Sequence, residues 1–531
     1  MGYDCVLRNG RIVDGTGSPW YRGDVAIADG RVAALGTVEG EGDVEVDLDG
    51  DVVAPGFIDI HTHSDFTLPA NRDAHSKVRQ GVTLEIVGNC GTSAAPRYGA
   101  AARSVDDWFA SRGLDDEVDA GEWESMAEYL AYLESDGLSL NVGSLVGHGN
   151  VRAAVVGYED RDPSPDELAE MRELVAEAMA DGAVGLSSGL FYPPGCYADV
   201  DEVTALAEVA AEHGGFYATH MRSESDGLLE SVEETIEIGR RAGVPVQVSH
   251  HKAVGPDNWG KVRATLRRME LVRRREGIEI QCDQYPYVAS STSLGALLPN
   301  WAHDGGDDAL LERLRDPETR SRIRDDLKDD RTSDWDGILV TGVQNPDMKA
   351  YEGKTIAELA DREGETRQPA EILLDIVLED ENRTMHVNFG MDEADVRTVM
   401  RHDLTMVGSD GSSLQQSGPL GEGVPHPRNY GTFPRVLGNY VREEGVVPLE
   451  SAVHKMTGMP ASRLGLDDRG VLKRDARADV TVFDPETVEQ TGDFLDPAVY
   501  PAGIEHVLVN GEFVVRDGDH TGARPGDVIG A

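Results

Sequence analysis

Basic residues are scarce in this chain of 531 residues: 49 Lys and Arg stand against 97 Asp and Glu, a formal net charge of −48. That balance argues against nucleic acid or an anionic membrane surface as a partner, since both would be repelled. Cysteine is almost absent. Cys5, Cys90, Cys196 and Cys282 lie far apart and form no CxxC pair, so a disulfide framework is not expected. No apolar run is long enough to span a bilayer. The start, Met1-Gly2-Tyr3-Asp4-Cys5, lacks a signal-peptide pattern, and the expected location is cytoplasmic. The acid is spread along the chain instead of being gathered in a tail. Such a diffuse acidic surface resembles that of proteins from salt-loving microbes, in which salt screens the repulsion between carboxylates. The charge therefore reports environment and does not identify a substrate.

Against these absences stands a 40% hydrophobic content, ample for a large core. Both ends read as short strands and turns. Asn9-Gly10, Asp14-Gly15 and Asp29-Gly30 punctuate the first 54 residues, and strand runs at 478–483 and 506–515 flank Asn510-Gly511. The middle alternates strands and helices: strand 140–146, helix 165–179, strand 183–187, helix 200–212, strand 216–220, helix 226–241 and strand 244–249. Repeated βα units of this length predict a parallel sheet or a (β/α)8 barrel. The expected fold is thus α/β: a TIM-like barrel over 55–469 and a small β-sandwich domain built from 1–54 and 470–531. A peripheral insertion is expected near 290–345, where residues 303–335 are rich in Asp and Arg and weakly patterned for a core.

Candidate ligands cluster at the ends of the expected strands. The apolar run Val52–Ile60 leads into His61-Thr62-His63, and residues two apart on a strand project to one face. A second strand ends in Cys90, two more end in His220 and His250, and a late one ends in Asp410. Imidazole and thiolate suit zinc, and a catalytic zinc keeps three protein ligands and an open position.

These segments carry a resemblance. Pro55-Gly56-Phe57-Ile58-Asp59-Ile60-His61-Thr62-His63 resembles the first metal strand of the amidohydrolase superfamily. Gly88-Asn89-Cys90-Gly91, Thr219-His220-Met221-Arg222, Ser249-His250-His251-Lys252, Gly408-Ser409-Asp410-Gly411 and the 426–435 segment resemble the N-acyl-D-amino-acid deacylases within it. The resemblance extends over nearly the whole chain. It implies a tight zinc on Cys90, His220 and His250, and a second, weaker position on His61 and His63 that shares Cys90. It implies Asp410 as general base and then acid in the hydrolysis of a linear N-acyl-D-amino acid. It also implies Arg428, Lys252 and Tyr192 as carboxylate-binding groups, with Tyr285 and Ser291 beside the substrate. Two rival readings are a cyclic amidase of the hydantoinase type and a metal-binding protein without catalysis. The first would need a carboxylated lysine after the 140–146 strand, and residues 140–150 contain no Lys. Against the second stands Asp410, since a structural site needs no general base.

Overall fold

In a computed structural model the described residues are 2–329, 334–361 and 367–530. Parallel strands form the centre: β1 (Phe57–Asp59), β2 (Val82–Val87), β3 (Asn141–Ser144, continued by Val146–Gly147), β4 (Gly185–Gly189), β5 (Phe216–His220), β6 (Val246–Val248), β7 (Ile280–Gln284) and β8 (Thr405–Val407). β1, β2 and the first part of β3 make one sheet. The second part of β3 runs on through β4, β5, β6 and β7 to β8 in another. Leu145 N donates to Val87 O at 2.9 Å and Val184 N to Ser144 O at 2.8 Å, which joins the two sheets at one side. At the other side Asp410 N donates to His61 O at 2.8 Å and His63 N to Gly411 O at 2.9 Å. Every residue of β2 is buried, as expected of a parallel strand covered on both faces.

The helices between these strands start on recognisable caps. Ser164 and Glu167 form a capping box for Pro165–Ala180, which has Pro in its first turn. Asp199 caps Val200–Glu212 by accepting from Glu202 N. Leu228–Ala242 stops at Gly243, whose φ of 66° only glycine adopts without cost.

Two sequence expectations need correction. The apolar run at 52–60 is not one strand but breaks at Gly56. Val52–Pro55 pairs with Val480–Phe483 in a different sheet, while Phe57–Asp59 pairs with β2. A Cβ on Gly56 would lie 2.1 Å from Thr83 Oγ1, so glycine permits the close crossing. Nor is Asn9-Gly10 a hairpin turn. It is an irregularity inside the single strand Tyr3–Ile12, where Asn9 takes φ 61° and the register shifts.

Strands from both termini share one nine-stranded sheet. The 4-stranded sheet of Ser290–Ser293, Met385–Asn388, Ile338–Gly342 and Lys354–Thr355 stands apart, with its own core around Leu310, Leu314, Ile323, Leu373 and Val377. It extends to Asn388, well past 345, because its strands are separated by helices such as Asp307–Arg315 and Pro369–Glu379. The helix Asp307–Arg315 buries only Leu310, Leu311 and Leu314, hence the weak pattern there. Of the Asp- and Arg-rich stretch, residues 330–333 lie outside the described residues. Among the described residues no helix is long and apolar enough to cross a membrane.

Candidate metal centre

The carboxyl ends of the parallel strands converge on one cluster. His61 and His63 follow β1, Cys90 follows β2, His220 ends β5, His250 follows β6 and Asp410 follows β8. Ligand atoms of His61, Cys90, His250 and Asp410 all lie within 4.8 Å of one another, and so do those of His220, Glu224 and His250. Cys90 Sγ sits 3.3 Å from His61 Nε2 and 3.4 Å from His250 Nε2. The His220 and His250 rings meet edge to face at 4.4 Å. Asp410 Oδ1 lies 3.0 Å from His63 Nε2 and 3.3 Å from His61 Nε2. His61 and His63 stand beyond the regular strand, with ring centroids 5.6 Å apart.

Three of these residues occupy left-handed backbone: Cys90 at φ 53°, His250 at 35° and Asp410 at 52°. Such conformations persist in non-glycine residues only where the surroundings fix them, and they gather at functional sites. Here a buried polar network fixes at least one of them. Lys77 Nζ donates to Asp59 Oδ2 (3.0 Å), Ser409 Oγ (2.8 Å) and Gly411 O (3.2 Å). Asp59 Oδ1 accepts from Ser409 N at 2.8 Å. The turn carrying Asp410 is thus clamped from below by an ion pair that water does not reach. Removing one partner of a buried pair strands the other charge. Lys77→Met is therefore expected to lower unfolding free energy by about 3–5 kcal/mol, measured by urea titration, and to reduce kcat.

The electrostatics favour a cation. Burial pushes the Cys90 thiol up, but the charges of His61 and His250 and hydrogen bonds from His220 and His250 bring it well below its ordinary value. These surroundings favour the thiolate form. Burial likewise opposes ionisation of Asp410, yet Arg428, His250, His61 and His63 hold it well below the usual carboxylate range. His63 and His250 are each raised to about 9: burial acts the other way, and the negative groups around them overcome it. The thiolate and carboxylate, with imidazoles that yield their protons to an incoming cation, fit a zinc-type ion.

Two site residues escaped the sequence reading. Asp283 on β7 faces His61 Nδ1 at 3.0 Å, accepts from His250 N at 2.8 Å and accepts from Gln247 Nε2 at 2.6 Å. A proton on His61 Nδ1 directed at this carboxylate leaves Nε2 free toward Cys90. Glu224 lies 2.9 Å from His250 Nδ1 and 2.6 Å from Lys252 Nζ. Burial notwithstanding, the Lys252, His250 and His220 charges pull its carboxyl down.

The remaining predicted residues line one cavity of about 860 Å3 above this cluster. Arg428 donates to Asp410 Oδ2 at 2.6 Å and to Ser291 O at 3.0 Å. Its guanidinium lies 5.1 Å from the Tyr285 ring centroid, and the buried Tyr285 hydroxyl has no hydrogen-bond partner among the described residues. Tyr192 stands edge-on to His220 at 4.8 Å. Lys252 lines the cavity too, but its ammonium is already engaged by Glu224 and lies 2.8 Å from His250 Nδ1. After β3, His148 turns away from the cluster onto Glu202 at 2.8 Å.

Comparison with known proteins agrees with this geometry. Residues 44–515 match the amidohydrolase family. The chain belongs to that family. Within it, the chain is 38% identical to a D-aminoacylase of Alcaligenes xylosoxydans xylosoxydans over 529 residues, which covers 99% of this chain and 97% of the relative. An N-acyl-D-glutamate deacylase of the same organism is also 38% identical, covering 96% and 93%. A solved N-acyl-D-glutamate deacylase of Bordetella bronchiseptica, complexed with zinc and a phosphonate mimic of the tetrahedral intermediate, superposes with a TM-score of 0.82. It is 35% identical, and the match covers 100% of each chain.

Proposed function

We propose that this amidohydrolase cleaves the linear amide of N-acyl-D-amino acids, releasing a carboxylate and a free D-amino acid. The observation that carries the reading is the placement of Asp410 against both the imidazole–thiolate cluster and Arg428, within 3.3 Å and 2.6 Å. A general base, a metal site and an anion anchor in contact are what amide hydrolysis beside an α-carboxylate requires. We read the two parallel sheets as one (β/α)8 barrel over 55–469, and the nine-stranded sheet as a β-sandwich domain formed from 1–54 and 470–531.

Cys90, His220 and His250 would hold the tight zinc, and His61 and His63, sharing Cys90, a weaker second ion. Zinc bound there supplies Lewis acidity that polarises the amide carbonyl and acidifies water. Asp410 accepts the proton of the attacking water. It then returns that proton to the leaving nitrogen, which could not depart as an amide anion. Arg428 offers its guanidinium fork to the α-carboxylate, and the Tyr285 hydroxyl, without a hydrogen-bond partner among the described residues, is available to the same group. Tyr192, Lys252 and Ser291 complete the wall around it. Asp283 and Glu224 hold the imidazoles in orientation.

The test is a panel of N-acetyl D- and L-amino acids and hydantoins at high salt with added zinc. Turnover of D-substrates with no hydantoin cleavage supports the reading. Hydantoin cleavage alone overturns it in favour of a cyclic amidase.

High salt belongs in that assay because of the net charge of −48. We infer a cytoplasm of high ionic strength as the working environment. At 1 M salt the screening length falls to about 3 Å, which quenches the repulsion between exposed carboxylates. The melting temperature is expected to climb by more than about 5 °C as potassium chloride rises from the millimolar to the molar range. A flat salt profile would show that the acidic surface is not adapted to salt.

A further inference from the structure

The cavity above the cluster has a branch. A side cavity of about 180 Å3 shares Phe66, Cys90, Trp108 and Tyr192 with it and extends toward Ala101 and Ala153. The Phe66 and Trp108 rings face each other at 5.2 Å. Apart from Cys90 itself, no residue lining the branch is ionised at neutral pH. Its apolar lining (Phe66, Ala101, Val105, Trp108 and Ala153) suits a hydrocarbon group, and of the residues assigned above to proton transfer and carboxylate binding only Tyr192 borders it.

Resting on the deacylase reading, we propose that this branch is the acyl subsite, and that it selects apolar acyl groups longer than acetyl. The leaving nitrogen must face Asp410 to receive its proton. The α-carboxylate must reach Arg428, whose guanidinium touches that same Asp410 at 2.6 Å. The amine half of the substrate therefore occupies the Asp410–Arg428 flank. In a trans amide the acyl substituent and Cα lie on opposite sides of the C–N bond. The acyl chain consequently leaves the reacting carbon on the other flank, where Cys90 opens into the side cavity. Acetyl would leave most of that space empty, and each further methylene would remove apolar surface from water.

The experiment is a series of N-acetyl, N-butanoyl and N-hexanoyl derivatives of one D-amino acid on the zinc-loaded enzyme. Burial of a methylene is worth roughly fourfold, so kcat/KM should rise about fifteenfold from acetyl to butanoyl and rise again at hexanoyl. Ala153→Leu and Ala101→Leu, on two different helices, narrow the branch. Each should cut the hexanoyl-to-acetyl ratio by about tenfold, so one suffices if the other does not fold. Calorimetry on the unaltered enzyme checks the same wall without turnover: hexanoate should bind tighter than acetate. A flat or falling series in an enzyme that does hydrolyse the N-acetyl D-substrate overturns the acyl subsite alone. Failure to hydrolyse any N-acyl-D-amino acid overturns the deacylase reading on which it rests.

Discussion

Asp410→Asn is expected to lower kcat by about two to four orders of magnitude, with zinc content unchanged and KM shifted by less than about threefold. Asn keeps the size of the side chain and an oxygen that can face His61 and His63, so the cluster need not open. What it loses is the ability to take and return a proton. In the unaltered protein Arg428 and His250 outweigh burial and hold the Asp410 carboxyl well below its ordinary range. It is therefore ionised across the neutral range, and engagement of Arg428 by the substrate carboxylate would relieve that hold and make it a better base. Arg428 retains its bond to Ser291 O in the variant and is freed from its carboxylate partner, so anion binding should persist. Steady-state kinetics together with metal analysis checks both halves. An Asp410→Asn enzyme with full zinc and near-normal kcat would remove this residue from proton transfer.

Much of this centre was legible in the sequence because its ligands are rare residue types at strand ends. With 4 Cys and 15 His in 531 residues, a thiol and several imidazoles at successive strand ends stand out. Asp283 and Glu224 did not, for the opposite reason. They are two among 97 acidic residues, and only the folded chain shows that one lies against His61 and the other between His250 and Lys252. Lys77 was silent too, since the residues it joins, Asp59 and Ser409, are 350 positions apart. The break at Gly56 was hidden because both halves of the run are equally apolar. Hydrophobic pattern reports burial, and it does not report which sheet does the burying. The region reaching Asn388 was not legible as one unit because its apolar helix Pro369–Glu379 has the pattern of any barrel helix, and only the pairing of Ser290–Ser293 with Met385–Asn388 places it in the separate core.

Cys90→Ala is expected to be as damaging as Asp410→Asn but by a different route: loss of the metal. The sulfur lies between His61 Nε2 and His250 Nε2 and is the one anionic atom common to both predicted metal positions. Without it, Asp410 is the one anionic member left in the cluster with His61 and His250. Even removal of an outer partner of a metal ligand costs about 10–100-fold in affinity, so loss of a shared ligand should exceed about 100-fold. Activity should fall in step, and excess zinc should restore only part of it. Cys90→Asp, which returns an anion to the same backbone position, should recover more metal than Cys90→Ser. The fold itself should survive, because Asp283 still holds His61 and Glu224 still holds His250. Ala must also adopt the φ of 53° that Cys90 adopts, so the backbone strain is unchanged. A small change in melting temperature with a large loss of bound zinc would separate this variant from Lys77→Met, in which the ion pair beneath the site fails and stability falls first. Full zinc content in Cys90→Ala would instead move the tight site onto His61, His250 and Asp410, and reduce Cys90 to a buried neighbour.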